Sequence, residues 1–243
     1  MRYIIRVSYD GNNYSGFQIQ PDSDSIQARL EYAIGSALKS DIKIIASGRT
    51  DAGVSAIEQV CHFDLDTDID VCKKSGHINS LLPRDIRVLN ISIADNDFHA
   101  RYSAKRKTYE YYFYTGSEIP LYENFATNIG FNIDIEKMKE CCKYFLGEHD
   151  FSAFCASNTE VKDKTRTIFD INIVDISDHL YKLTITGNGF LYNMVRIIMG
   201  TLVDVGLGKI NSNDISSIIE SLDRSKAGKT ISPKGLVLKN VEY

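Results

Sequence analysis

Ala46-Ser47-Gly48-Arg49-Thr50-Asp51-Ala52-Gly53-Val54-Ser55-Ala56 lies between two apolar runs, Ile42–Ala46 before it and Gln59–Phe63 after it. Both runs are rich in β-branched and aromatic residues and read as short strands. The stretch between them holds two glycines, a hydroxyl, a guanidinium and one carboxylate. Gly48 and Gly53 permit a tight backbone path that residues with a Cβ resist. Asp51 is flanked by Thr50, Ala52 and Gly53, all small, so a ligand can approach its carboxylate closely. Arg49, two residues away, favours the ionised form by proximity. On residue types alone, a plain polar turn in which Asp51 bonds its own backbone is the competing reading.

Upstream, Tyr3–Tyr9 reads as a strand and Asp10-Gly11-Asn12-Asn13 as a turn. Tyr14–Pro21 is an extended polar and aromatic segment. Within it, Gln18 and Gln20 are either nucleotide contacts or ordinary loop polarity. Ser25 is placed to cap a helix starting near Ile26, with Ile26, Leu30, Ala33, Ile34, Ala37 and Leu38 on one side. Downstream, Arg87–Ile93 reads as a strand. The segment from Phe98 to Tyr109 then gathers Arg101, Lys105, Arg106 and Lys107, the densest basic cluster in the chain, among aromatics. Such a cluster suits phosphate contacts with base stacking, or is simply a solvated charge run.

A boundary near Ala104 divides the chain into halves, 1–104 and 105–243. In the second half, Thr108–Thr115 reads as a strand. Ile133–Leu146 reads as a helix with Ile135, Met138, Cys142 and Phe145 on one side, and Gly147–Phe154 ends it. Two strands follow, Thr167–Ile176 and Tyr181–Gly187. Gly189–Gly200 opens a helix, Ser212–Leu222 forms another, and the chain finishes on a terminal strand. No regular βαβα repeat is visible, so the expected class is α+β with mainly antiparallel sheet.

The 243 residues carry 28 basic and 32 acidic side chains, a net charge of −4, so an RNA site would be a local basic groove on an acidic body. The first ten residues lack the apolar run of a signal peptide, and nothing approaches the ~20 apolar residues of a membrane span. Cys61, Cys72, Cys141, Cys142 and Cys155 lack metal-site spacing and suggest reduced thiols in the cytoplasm. Asp64-Leu65-Asp66-Thr67-Asp68-Ile69-Asp70 faintly resembles a phosphatase nucleophile loop. As a calcium loop it fails, because Ile69 and Ser75 stand where glycine and glutamate are required. His149-Asp150 could do acid–base work, although adjacent residues rarely converge on one point. Arg196 is conspicuous as a lone guanidinium in an apolar helix start, where it needs an acceptor.

Six segments in order resemble the TruA family of tRNA pseudouridine synthases. They are Tyr9-Asp10-Gly11 through Gln18, Gln20 and Pro21; Gly48–Ala56; Leu82-Pro83 through Asp85-Ile86; Phe98–Tyr109; Gly147–Phe154 with Phe190–Arg196; and Pro233 through Val241. Phe17 stands where that family has Trp, and Gly48 and Ser55 stand where it usually has Ser and His. The resemblance implies a pseudouridine synthase fold of two RRM-like αβ halves. The first would carry the catalytic Asp loop and the second complete the central cleft. It implies Asp51 as the catalytic nucleophile, Arg196 as its ionic partner and Tyr109 against the target uracil. Arg49, Gln18, Gln20, Arg101, Lys105 and Lys107 are the further candidate substrate contacts. It also implies a homodimer acting on the anticodon stem-loop of tRNA, at positions 38 to 40, without metal or organic cofactor. A phosphatase built on Asp64 and Asp66, and a non-catalytic RNA-binding protein of the same fold, are the alternatives.

Overall fold

Arg2–Tyr9 alternates half-buried and buried residues along its whole length and forms strand β1. In this computed structural model, residues 1–67, 69–157 and 161–243 are described. Along the chain follow α1 (Ile26–Leu38), β2 (Ile45–Ala46), β3 (Ser55–Asp64), α2 (Ser75–Leu81), β4 (Ile86–Ala94), β5 (Arg106–Tyr114), β6 (Thr127–Asn128) and α3 (Ile135–Cys141). Then come β7 (Gly147–Asp150), β8 (Thr165–Ser177), β9 (Leu180–Gly187), α4 (Met194–Gly206), α5 (Ile215–Ser221) and β10 (Leu236–Glu242). These elements fall into two compact units, Met1–Lys105 with Val237–Tyr243, and Arg106–Leu236.

In the first unit β1 is central. It pairs antiparallel with β3 (Ile5↔Cys61) and with β4 (Ile5↔Ile91). β10 joins β3 in parallel through Val237↔Ser55 and Leu238↔Ala56. The end of the chain therefore returns to the unit in which it began. Sequence order would place it with 105–243, but a strand belongs to the sheet that satisfies its backbone. Ile5, Val7, Cys61, Phe63, Ile86 and Val88 are buried on one face of this sheet, and Ile26, Leu30, Ile34 and Leu38 are the buried stripe of α1. Ser25 caps α1 as its residue type suggests, its Oγ accepting from Ala28 N at 3.3 Å.

In the second unit β5, β9, β8 and β7 form an antiparallel run, with β6 added in parallel to β5. Tyr111, Phe113 and Leu183 face the buried side with Ile197, Ile198 and Leu202 of α4. The class is α+β, mostly antiparallel, as the sequence suggests.

Several elements differ from their sequence reading. Ile42–Ala46 contributes only the two-residue β2, because pairing with β3 is confined to Ile45↔His62 and Ala46↔Cys61. Ile42 and Ile44 are buried without a ladder. Ile133–Leu146 is shorter as an α-helix, tightening into a 3₁₀ turn at Cys142–Phe145. Gly147–Asp150, expected only to end that helix, is strand β7 on β8. α2 follows an acidic run and carries one buried residue, Ile78, too little for a periodic signal.

Candidate active site

The loop from Ser47 to Val54 is built from both its ends. Ser47 N bonds Val60 O at 2.8 Å, continuing the β2–β3 pairing by one residue. Gln59, wholly buried in β3, then works across the gap. Its Nε2 donates to Gly48 O at 2.9 Å, and its Oε1 accepts from Ser47 Oγ at 2.6 Å and from Val60 N at 3.2 Å. A buried amide with all these bonds made fixes the backbone on which Arg49 begins. Two residues on, the buried hydroxyls of Tyr9 and Thr50 lie 2.8 Å apart in a hydrogen bond. Val54 N closes the turn on Asp51 O at 3.1 Å, with Gly53 at φ 78°.

A second segment braces the loop from outside. Phe17 N donates to Thr50 O at 3.0 Å. Gly16 takes φ 96°, and a Cβ there would stand 2.9 Å from Thr50 O, so only glycine lets the two backbones approach this closely. The Phe17 ring is buried 6.0 Å from that of Tyr9. Phe17 is thus core support for the loop. Gln18 and Gln20 follow it and are exposed, with Gln20 Nε2 on Ser15 O at 3.0 Å. Gln27 ties the same segment to the feed of the loop. Its Oε1 accepts from Ile19 N and its Nε2 donates to the buried Glu31, which also accepts from Ile44 N. Ser55, in the place of histidine, opens β3 and accepts from Gly11 N at 3.0 Å.

Of the other first-unit candidates, Arg49, Arg101 and Lys105 are all exposed. Asp51 is half-buried. The structure therefore brings Gly16 and Phe17, which lead into exposed Gln18 and Gln20, against the Asp51 loop, while Arg101 and Lys105 sit at the two ends of a separate turn before β5.

The second unit holds Lys107, Tyr109 and Arg196. Tyr109 lies on β5 opposite Ile185, mostly buried, with the Phe190 ring edge-on at 5.2 Å. Lys107 is two residues earlier, opposite Gly187, and half-buried. Arg196 sits in the first turn of α4. Its Nε donates to Ile231 O at 2.8 Å and its Nη1 to Asn193 Oδ1 at 2.6 Å. Asn193 adopts the left-handed conformation at φ 61° that starts α4. The Ile231 segment reaches α4 because Gly200 has no side chain: a Cβ there would meet Lys229 O at 1.9 Å. Tyr111, beside Arg196, has its phenol pushed well above the usual range by burial, so it stays protonated. The acceptors that an apolar helix start demands of Arg196 thus include a carbonyl and an amide oxygen of its own unit.

The alternatives fare differently. Asp64 is gripped by Arg2 through two bonds of 2.8 and 2.7 Å, and that guanidinium holds its carboxyl below the usual range. A carboxylate so engaged is a poor phosphatase nucleophile. Asp68 of the same run lies outside the described residues. His149 and Asp150 are spent locally, on Leu146 O and on Ser152 N and Oγ. Among the described residues no group of three or more His, Cys, Asp or Glu could hold a metal, and no helix is long and apolar enough to cross a membrane. Gln59, Tyr9 and Thr50 are the residues that sequence reasoning passes over. The only signal is a glutamine at the head of the apolar run Val60–Phe63 in a strand.

The sequence-family profile described as tRNA pseudouridine synthase matches residues 5–103 and 141–243. The chain is 44% identical over 246 residues to tRNA pseudouridine synthase A of Bacillus subtilis (strain 168), covering all of this chain and 99% of that protein. It is 43% identical over 241 residues to the protein of the same name from Caldicellulosiruptor saccharolyticus, covering 99% and 98%. Among solved structures, the Cbf5-Nop10-Gar1 complex has a chain 14% identical, with 97% of this chain and 57% of that one covered at a TM-score of 0.36.

Proposed function

The chain belongs to the tRNA pseudouridine synthase family, and from that membership we propose that it isomerises uridine to pseudouridine in the anticodon stem-loop of tRNA, at positions 38 to 40, with Asp51 as nucleophile. The observation that carries the reading is the Asp51 loop, whose backbone is fixed by buried Gln59, Ser47, Tyr9 and Thr50 while Asp51 itself stays half-buried within reach of solvent.

The reaction breaks the C1′–N1 glycosidic bond, turns the uracil and forms a C1′–C5 bond. The C5 proton leaves and N1 takes one up, so nothing is hydrolysed, oxidised or reduced. A carboxylate suits this because it can bond to or stabilise the electron-poor intermediate while the base turns. The target base must first leave its stack. Arg49, exposed next to Asp51, occupies the vacated space or holds a phosphate. Tyr109, its ring steadied edge-on by Phe190, lies against the uracil. Arg196 is the further catalytic candidate that the family resemblance names. Gln18, Gln20, Arg101, Lys105 and Lys107 contact the RNA. The protein works as a cytoplasmic homodimer, one subunit's basic strip helping to hold the tRNA presented to the other. An acidic chain needs such an extended contact, because phosphate contacts dominate affinity for RNA.

The test is to incubate the protein with unmodified tRNA and with ribosomal RNA and to map pseudouridine in each. The expected result is modification within the anticodon stem-loop. Modification confined to ribosomal RNA would overturn the tRNA assignment and leave the chemistry at Asp51 intact.

A further inference from the structure

The turn from Phe98 to Ser103 has six consecutive backbone amides, and every one is bonded. Phe98 N reaches Asp95 O, His99 N reaches Ser103 Oγ, and Ser103 N returns to His99 O. The other three are taken by histidine rings. Ala100 N donates to His62 Nδ1 at 3.1 Å, and Arg101 N and Tyr102 N both donate to His99 Nδ1, at 3.1 and 3.3 Å. The two rings meet edge-on with centroids 4.8 Å apart. Carbonyls are held too: Tyr243 OH donates to Ala100 O at 2.8 Å, and Arg2 Nη1 to Phe98 O at 2.7 Å. Burial, first of all, pushes the His62 pKa down to about 4, so its ring is neutral and able to accept at neutral pH.

What this turn presents is an aromatic ring. Tyr102 is 77% exposed. Its ring leans on His99 at 4.3 Å and 33°, and the Arg101 guanidinium lies 5.7 Å from its centroid. Lys105, anchored by its own amide to Glu242 O, follows three residues later. A rigid, exposed ring beside cations matches a nucleic-acid base, because every base offers a π-face and the flanking phosphates answer the charge. A ring that is already held loses little freedom on binding.

We propose that Tyr102 is a stacking platform for an unpaired base of the substrate RNA, presented by a turn that His62 and His99 clamp. This rests on the reading above that RNA is the substrate. The experiment titrates an unmodified tRNA transcript against wild type, Tyr102→Phe, Tyr102→Leu and Tyr102→Ala at several salt concentrations. Base stacking is worth about 1–3 kcal/mol, so the Leu and Ala variants should bind roughly 5- to 150-fold more weakly, whereas Phe should stay within about twofold. Because no phosphate contact is lost, the slope of log affinity against log salt should match wild type. Arg101→Gln serves as the contrast and should flatten it by about one. Leu or Ala binding as tightly as wild type would overturn the proposal, as would Phe losing as much as Ala, or wild type failing to bind. Pseudouridine formation by wild type on the same transcript is scored separately. Its absence would sink the reaction assignment, whereas the affinities judge Tyr102.

Discussion

β3 has an aspartate near each end, and the two are held in opposite ways. At one end, Asp51 belongs to a loop in which buried Ser47 and Gln59 bond each other, Gln59 bonds the Gly48 carbonyl, and buried Thr50 bonds Tyr9. At the other end, Asp64 is itself the bonded group, exposed and forked by the Arg2 guanidinium. The first arrangement spends buried polar groups on the path of the chain. The second spends a charge on neutralising the carboxylate. Counting acidic residues would rank the Asp64 end higher, since Asp66 and Asp70 follow it. Environment ranks it lower, because a site needs a carboxylate delivered to a fixed place and kept available.

The sharpest break between the two ends is chemical. Asp51→Asn keeps shape and loses charge, so it should leave no measurable pseudouridine formation while RNA affinity and folding persist. Asp64→Asn in the same assay should turn over as wild type does. Activity surviving in the first, or lost in the second, would reverse the assignment.

Next in size is the support of the Asp51 loop. Gln59→Leu leaves the Gly48 carbonyl and the Ser47 hydroxyl without their buried partner. The cost is about 1–3 kcal/mol per group in denaturant unfolding, and the turnover number should fall more than the affinity for RNA. Gln59→Glu sets a second acceptor oxygen against the Gly48 carbonyl in a wholly buried place, and should be at least as damaging as Gln59→Leu. Equal turnover in all three proteins would show that the loop holds itself.

The His62 end predicts a pH dependence. The folded state keeps His62 neutral down to about pH 4, whereas an unfolded histidine protonates near 6.5. The unfolded chain then binds the extra proton, so stability is whole above about 6.5 and drains as pH falls towards 4. His62→Gln, which can still accept from Ala100 N, should flatten thermal stability across that window. An unchanged slope would mean that the histidine is not what titrates.

The smallest effect belongs to the Arg2–Asp64 pair. The folded Asp64 pKa is depressed by Arg2, so the pair's contribution is present above the ordinary aspartate range near pH 4 and lost below it. Being exposed, it is screened by salt, and Asp64→Asn should shift unfolding only slightly at neutral pH. A large shift would show that the far end of β3 matters to stability no less than the near end.

Much of this was legible in the sequence, and the gaps have physical causes. Residue pattern located β1, α1, β4, β5, β8 and β9, and apolar content located α4, which is buried on nearly every side. Pattern failed at Ile42–Ala46, where two isoleucines are buried without a ladder, and at Gly147–Asp150, where a polar edge strand has no alternation to show. The return of β10 to the first unit is a long-range pairing that local pattern cannot carry. In the candidate site, Asp51 stood out by its small neighbours. Its supports did not, since Tyr9 and Thr50 are 41 residues apart and Gln59 differs from a solvated glutamine only in where β3 places it.

The central claim is that this chain rearranges uridine and adds or removes nothing. The direct measurement incubates purified protein with an unmodified tRNA transcript, without added nucleotide or organic cofactor, digests the RNA to nucleosides and quantifies them. The account predicts pseudouridine appearing as uridine disappears, one for one, with their sum constant and no free uracil or phosphate released. Uridine left unchanged, or lost to free uracil, would contradict it.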